Sequence, residues 1–232
     1  MASDELQFES PEQLAGAAAA ALAEASAHQA FTLFNNKEYR RSARFDALDQ
    51  VEQDRIFNEL VVAHLVLIML ILEAPDLRVA PEFRDQLATL KELIPKAYVD
   101  NLGTMGVEDE HLRVWEQLIS LRYEEYAKDR IGLRTAAMHL EALEKPLELD
   151  DLSLIQLLLP VQAVAIGCHH HVCRDKTDGR DELFKLTLNS LARFYTDVRI
   201  HFEGGKIMFG MKARRFLRRV IPPGKKRNHQ KL

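Results

Sequence analysis

The sequence predicts an all-α protein: a single bundle of about six helices, two of them fully buried at its centre, followed by a basic amphipathic helix and tail. Three observations point there. Gly (10) and Pro (8) are scarce among 232 residues, and these are the residues that punctuate turns. Leu and Ala dominate an apolar fraction of 47%, and both are strong helix formers. Aromatic content is only 7%, and no stretch of useful length alternates polar and apolar as a half-buried strand does.

The first helix opens at Ser10-Pro11-Glu12-Gln13. Ser10 caps, Pro11 suits the first helical position and Gln13 completes a capping box. It runs to about Phe34, where Asn35-Asn36 weakens it. The second begins within residues 42–48 and continues to Glu73, before Pro75. Its first half is amphipathic. Its second half, Leu60–Leu72, is apolar all round apart from His64, as in a helix that dives into a core.

Pro81-Glu82 opens the third helix, Ile94-Pro95 kinks or ends it, and Gly103 or Gly106 closes it. Glu108-Asp109-Glu110 place acids at the positive end of the fourth helix, which extends toward Glu144 before Pro146. Asp150 or Asp151 caps the fifth, which bends at Pro160 and carries the second apolar run, Leu152–Cys168. The sixth follows Asp178-Gly179. Its residues Phe184, Leu188, Leu191, Tyr195, Val198 and Phe202 make one apolar stripe at spacings of 4, 3, 4, 3 and 4. That stripe suits an interior face or the seam of a homodimer. Gly204-Gly205 ends it, so residues 10–205 read as the bundle domain and 206–232 as a separate basic module.

Neither apolar run reaches the roughly 20 uninterrupted residues of a spanning helix, so no transmembrane span is expected. Met1–Ser10 is acidic and lacks the basic start of a secretion signal. Two cysteines exclude a disulfide framework. The expected setting is cytoplasmic, with peripheral attachment to a membrane as an option.

Charge is sorted along the chain. Residues 206–232 hold ten Lys and Arg and no Asp or Glu, while the remaining 21 basic and 35 acidic side chains leave the body at −14. A segment this basic calls for a counter-charge: an anionic membrane surface, another polyanion, or the body itself. On a helical wheel Phe209, Ala213, Phe216, Leu217, Val220 and Ile221 fall within about 140°. Lys212, Arg214, Arg215, Arg218 and Arg219 occupy the remainder, and Lys225, Lys226 and Arg227 follow Pro222-Pro223-Gly224. The leading functional expectation is a non-enzymatic helical interaction protein that meets an anionic partner through these eight cations.

The alternative is a metal-binding bundle, ferritin-like or zinc-holding, with an oxidoreductase or storage role and Fe, Mn or Zn as cofactor. Its candidate ligands are Glu59, the Glu108–His111 pair, and Cys168, His169, His171 and Cys173. Helical spacing puts Cys168 with His171 and His169 with Cys173. A closed zinc site needs four ligands, and a di-metal bundle needs a second Glu-x-x-His that the sequence lacks. A third expectation is an apolar ligand held between the second and fifth helices by His64 and Gln156. Nucleophile-elbow and phosphate-loop motifs are absent. Arg122, Tyr123, Glu124, Glu125, Tyr126 and Lys128 read as a solvated face with local ion pairs.

Overall fold

The computed structural model describes residues 10–144 and 149–204, apart from the side chains of Glu82, 138–144 and 149–156. Among these residues the chain forms seven α-helices and no strand: α1 (Pro11–Phe34), α2 (Lys37–Ser42), α3 (Gln50–Leu72), α4 (Gln86–Thr104), α5 (Asp109–Glu144), α6 (Leu149–Cys173) and α7 (Asp181–Phe202). The expected basic helix and tail lie outside the described residues.

Local chemistry sets the starts. The Ser10 hydroxyl accepts from the Gln13 amide at 3.3 Å, as the capping box requires. Asn36 Oδ1 accepts from the Glu38 and Tyr39 amides at 2.9 and 3.0 Å and so opens α2, a six-residue helix the sequence reading did not separate. Its purpose is one side chain: Tyr39 is fully buried, its ring edge-on to Phe45 at 6.3 Å. Asp49 caps α3 by accepting from the Glu52 amide at 2.8 Å. Pro81 opens only a 3-10 turn (Pro81–Phe83), and α4 starts later, at Gln86. Pro95 and Pro160 lie inside α4 and α6, and neither ends its helix.

α3 is the axis of the bundle, packed against α1, α4, α5, α6 and α7. Every residue from Leu60 to Leu72 is buried. By length and composition α3 could cross a membrane, with mean hydropathy 2.0 over its most apolar window, yet 83% of that window is covered by the rest of the fold. The described part of the second apolar run is likewise interior, with Leu157–Val161 and Ala163–Ala165 buried in α6. The two central helices are therefore those expected. α1 buries a face made almost wholly of small residues, Ala15, Ala19, Ala23, Ser26 and Ala30, which lets its backbone come close to α3 and α4.

The end of α7 is tied down by Arg199, whose side chain is 1% exposed. It donates to Asp76 Oδ2 at 2.9 Å and Asp76 O at 3.0 Å, to Glu203 Oε1 at 2.6 Å and to the Tyr195 hydroxyl at 2.9 Å. Burial pulls its pKa down, but Tyr195, Glu203 and Asp76 outweigh that and raise it. Full pairing is what makes a buried guanidinium tolerable. The apolar stripe of α7 turns inward through Leu191, Tyr195 and Val198, joined by Leu183, Thr187 and Phe194.

Candidate functional site

A polar cluster lies where the end of α6 meets α3 and α5. The chain leaves α6 through Arg174 and Asp175, both left-handed (φ 49° and 61°). Arg174 pairs with Glu52 of α3. Arg55, also on α3, donates to the last carbonyls of α6, His171 O at 2.7 Å and Val172 O at 3.1 Å. A cation on those orphan acceptors complements the negative end of the helix dipole.

Beneath it, Glu59 of α3 accepts two bonds from Arg122 of α5, at 2.8 and 3.1 Å. Arg122 reaches Glu125 at 3.2 Å, and Glu125 meets His171 Nε2 at 2.8 Å. Burial lowers the Arg122 pKa, but its bonds and charge contact with Glu59 outweigh this and raise it. Tyr126 is fully buried, its ring pressed on the Gly167 backbone of α6. The expectation of a solvated face at 122–128 is thus corrected in part: Arg122, Tyr123, Glu125 and Tyr126 turn toward neighbouring helices, while Glu124 and Lys128 are exposed and the expected local ion pair forms between Arg122 and Glu125. Ile119, Tyr123 and Tyr126, at spacings of four and three, are the signal that marks the inward side.

The metal candidates separate into different roles. Glu59 serves Arg122, and the Cys168 thiol lies 3.9 Å from the Glu59 carbonyl. His169 and Cys173 do share a face, with Sγ 3.8 Å from Nδ1. His171 turns instead to Glu125, away from the pairing with Cys168 that spacing allowed. Glu108 and His111 are exposed at the start of α5. Among the described residues no group of three or more His, Cys, Asp or Glu is arranged to hold a metal ion. Burial pushes both thiols up, which keeps them protonated and poorly nucleophilic at neutral pH. The pairing of His171 with Glu125 bridges α6 and α5.

No protein-family model, curated protein or solved structure matches the chain.

His64 is fully buried on α3, edge-on to Phe194 of α7 at 5.1 Å. Nδ1 donates to Leu60 O at 2.7 Å, while Nε2 has no partner among the described residues. It lines neither of the two cavities described below, and the Gln156 side chain lies outside the described residues. Burial drives its pKa down from 6.5 to about 4. The unfolded chain thus binds a proton near pH 6.5 that the folded chain refuses until about pH 4. Stability from the neutral ring is complete above pH 6.5 and is lost as pH falls toward 4, up to about 3 kcal/mol. His64→Leu is expected to flatten that part of the urea-midpoint profile, because Leu60 O keeps its helical amide partner and no polar atom is stranded. An unchanged slope would remove His64 as the cause.

The described residues line two cavities of contrasting chemistry. A small polar one of about 300 Å³ beside the end of α6 is lined by His169, His170, Asp178 and Asp181 among others. A larger apolar groove of about 500 Å³ lies at the opposite end of α7. Leu14 and Ala18 of α1, Phe83 and Leu87 around the start of α4, and Phe202 and Gly204 after α7 form its walls. The apolar groove was not legible in the sequence, because it joins elements far apart in the chain, whereas the polar cavity is lined by residues 166–184 alone.

Proposed function

We propose that the protein is a non-enzymatic helical scaffold that presents its C-terminal cations to an anionic surface, a membrane leaflet or another polyanion. The observation that carries this reading is the sorting of charge, with ten Lys and Arg and no acid in 206–232. Part of the body's acidic charge is withheld from the tail. Its well-held carboxylates are already engaged by the body's own cations: Glu59 by Arg122, Glu73 by Lys91 and Arg130, Glu52 by Arg55 and Arg174, and Glu203 by Arg199. Breaking such pairs to serve the tail would cost more than an exposed new pair returns.

Each Lys or Arg near an anionic leaflet contributes about 1 kcal/mol. Changing Arg214, Arg215, Arg218 and Arg219 to Gln in the full chain should therefore weaken binding to phosphatidylserine vesicles by about 4 kcal/mol, near a thousandfold. The loss should be largest at low salt. Neutral vesicles and heparin serve as the arms that separate a bilayer from any polyanion. Equal binding by the two chains at low salt would end the proposal.

A further inference from the structure

We propose that the apolar groove between α1, the start of α4 and the end of α7 binds a free single-chain carboxylate, a fatty acid of medium length, with its tail along the trough and its head group on Arg78 and His201. The walls set the tail. Leu14, Ala18, Phe83, Leu87 and Phe202 line a groove of about 500 Å³, within the roughly 300–1,000 Å³ of small-molecule sites. Aliphatic and aromatic carbon is most of what these side chains offer, and Phe83 stays 44% exposed at the lip. Such a surface recognises hydrocarbon through the area it removes from water.

The rim sets the head. Arg78 and His201 both line the groove and both are exposed, and among the described residues neither is paired with a carboxylate. Arg78 carries a planar fork of donors that matches the two oxygens of a carboxylate. His201 Nδ1 donates to Asp197 O at 2.7 Å, which leaves Nε2 as the ring atom to meet a ligand. Glu203 is the acid that lines the groove among the described residues, and its side chain is only 9% exposed. Arg199 already answers its charge, donating to Oε1 from Nε at 3.0 Å and from Nη2 at 2.6 Å. The groove is therefore cationic at its edge and apolar along its walls. That pattern favours an anionic chain over a neutral one and repels a cationic one. Neither the walls nor the two cations belong to residues 206–232, so the site does not depend on the functional reading above.

Titration calorimetry on the full chain with dodecanoate, kept below its micellar range, tests this. Dodecanoate should bind saturably, one per chain. Lengthening the tail from octanoate to decanoate should tighten binding roughly tenfold, because two more methylenes are buried. Dodecanol should bind about tenfold more weakly than dodecanoate, and dodecyltrimethylammonium more weakly still. Arg78→Glu should weaken dodecanoate about tenfold or more while dodecanol binds as before. The urea midpoint should stay where it was, since Arg78 is exposed. Phe83→Asp on the lip should weaken both ligands. The chain with Arg214, Arg215, Arg218 and Arg219 changed to Gln should still bind dodecanoate. Absence of saturable binding in the unaltered chain would overturn the inference. So would dodecanol or dodecyltrimethylammonium bound as tightly as dodecanoate, or binding that ignores both Arg78→Glu and Phe83→Asp. Dodecanoate lost with the four arginines would assign the amphiphile to the basic segment. Slow amide exchange in residues 1–9 that dodecanoate does not relieve would assign the groove to the acidic N-terminal segment. Uptake on phosphatidylserine vesicles that needs Phe83, with no binding of free dodecanoate, would assign it to a bilayer. Each of these three results also overturns the inference.

Discussion

Gly167→Ala is expected to destabilise the protein by about 3 kcal/mol or more, a large part of the 5–15 kcal/mol typical of a folded domain. A methyl at this position would lie 2.1 Å from Tyr126 Cε1 and 2.6 Å from Cδ1. The ring cannot retreat easily, because Tyr126 is fully buried. In an ordinary helix the same change would be favourable, since alanine exceeds glycine in helix propensity by about 1 kcal/mol. The sign therefore reports the ring. In a Tyr126→Leu background, which opens the space, Gly167→Ala should cost little or even stabilise. Urea midpoints of the four chains close the cycle, and equal costs in the two backgrounds would show that the contact does not govern this site. Tyr126→Phe should be close to neutral, because the hydroxyl has no partner to lose among the described residues.

Arg122→Met is the second large effect. The Glu59 and Arg122 side chains are 8% and 13% exposed and joined by two bonds, so removing the guanidinium leaves a carboxylate between α3 and α5 with no cation on it. Breaking a buried pair from one side costs about 3–5 kcal/mol. Replacing both members, Glu59→Leu with Arg122→Met, should recover most of that loss, since the charge that needed company has gone. The single variant should also loosen the Glu125–His171 clasp, as Arg122 holds Glu125. Broadening of His171 ring resonances would read that directly. A double variant no better than the single one would mean that packing of the Arg122 stem, not the stranded carboxylate, sets the cost.

The contrast between what was and was not legible follows from range. Ser10, Pro11 and the apolar run Leu60–Leu72 declare themselves within a few residues, and the helices they predict are present. The all-α class needs no more than that. The short α2 was missed because its cap, Asn36, sits in a pair that also serves as a helix stop. Pro81 misled because proline at a first helical position suits a 3-10 turn equally well. The polar clasps were invisible for another reason. Arg122 meets a carboxylate 63 positions away, and Arg199 one 123 positions away. Periodicity says which face such a residue occupies, never which helix waits opposite. The same limit separated the metal candidates, since shared spacing along α6 cannot reveal that Glu125 claims His171.

The burial of α3 has an outcome in time as well as in space. Its covers come from both sides of the sequence, α1 before it and α4 to α7 after it. At roughly 5–20 residues per second of synthesis, about 7–25 s pass between the emergence of α3 and that of the end of α7. Through that interval α3, long and apolar enough by length and composition to cross a bilayer, has only α1 to cover it, and the rest of its apolar surface waits for helices not yet made.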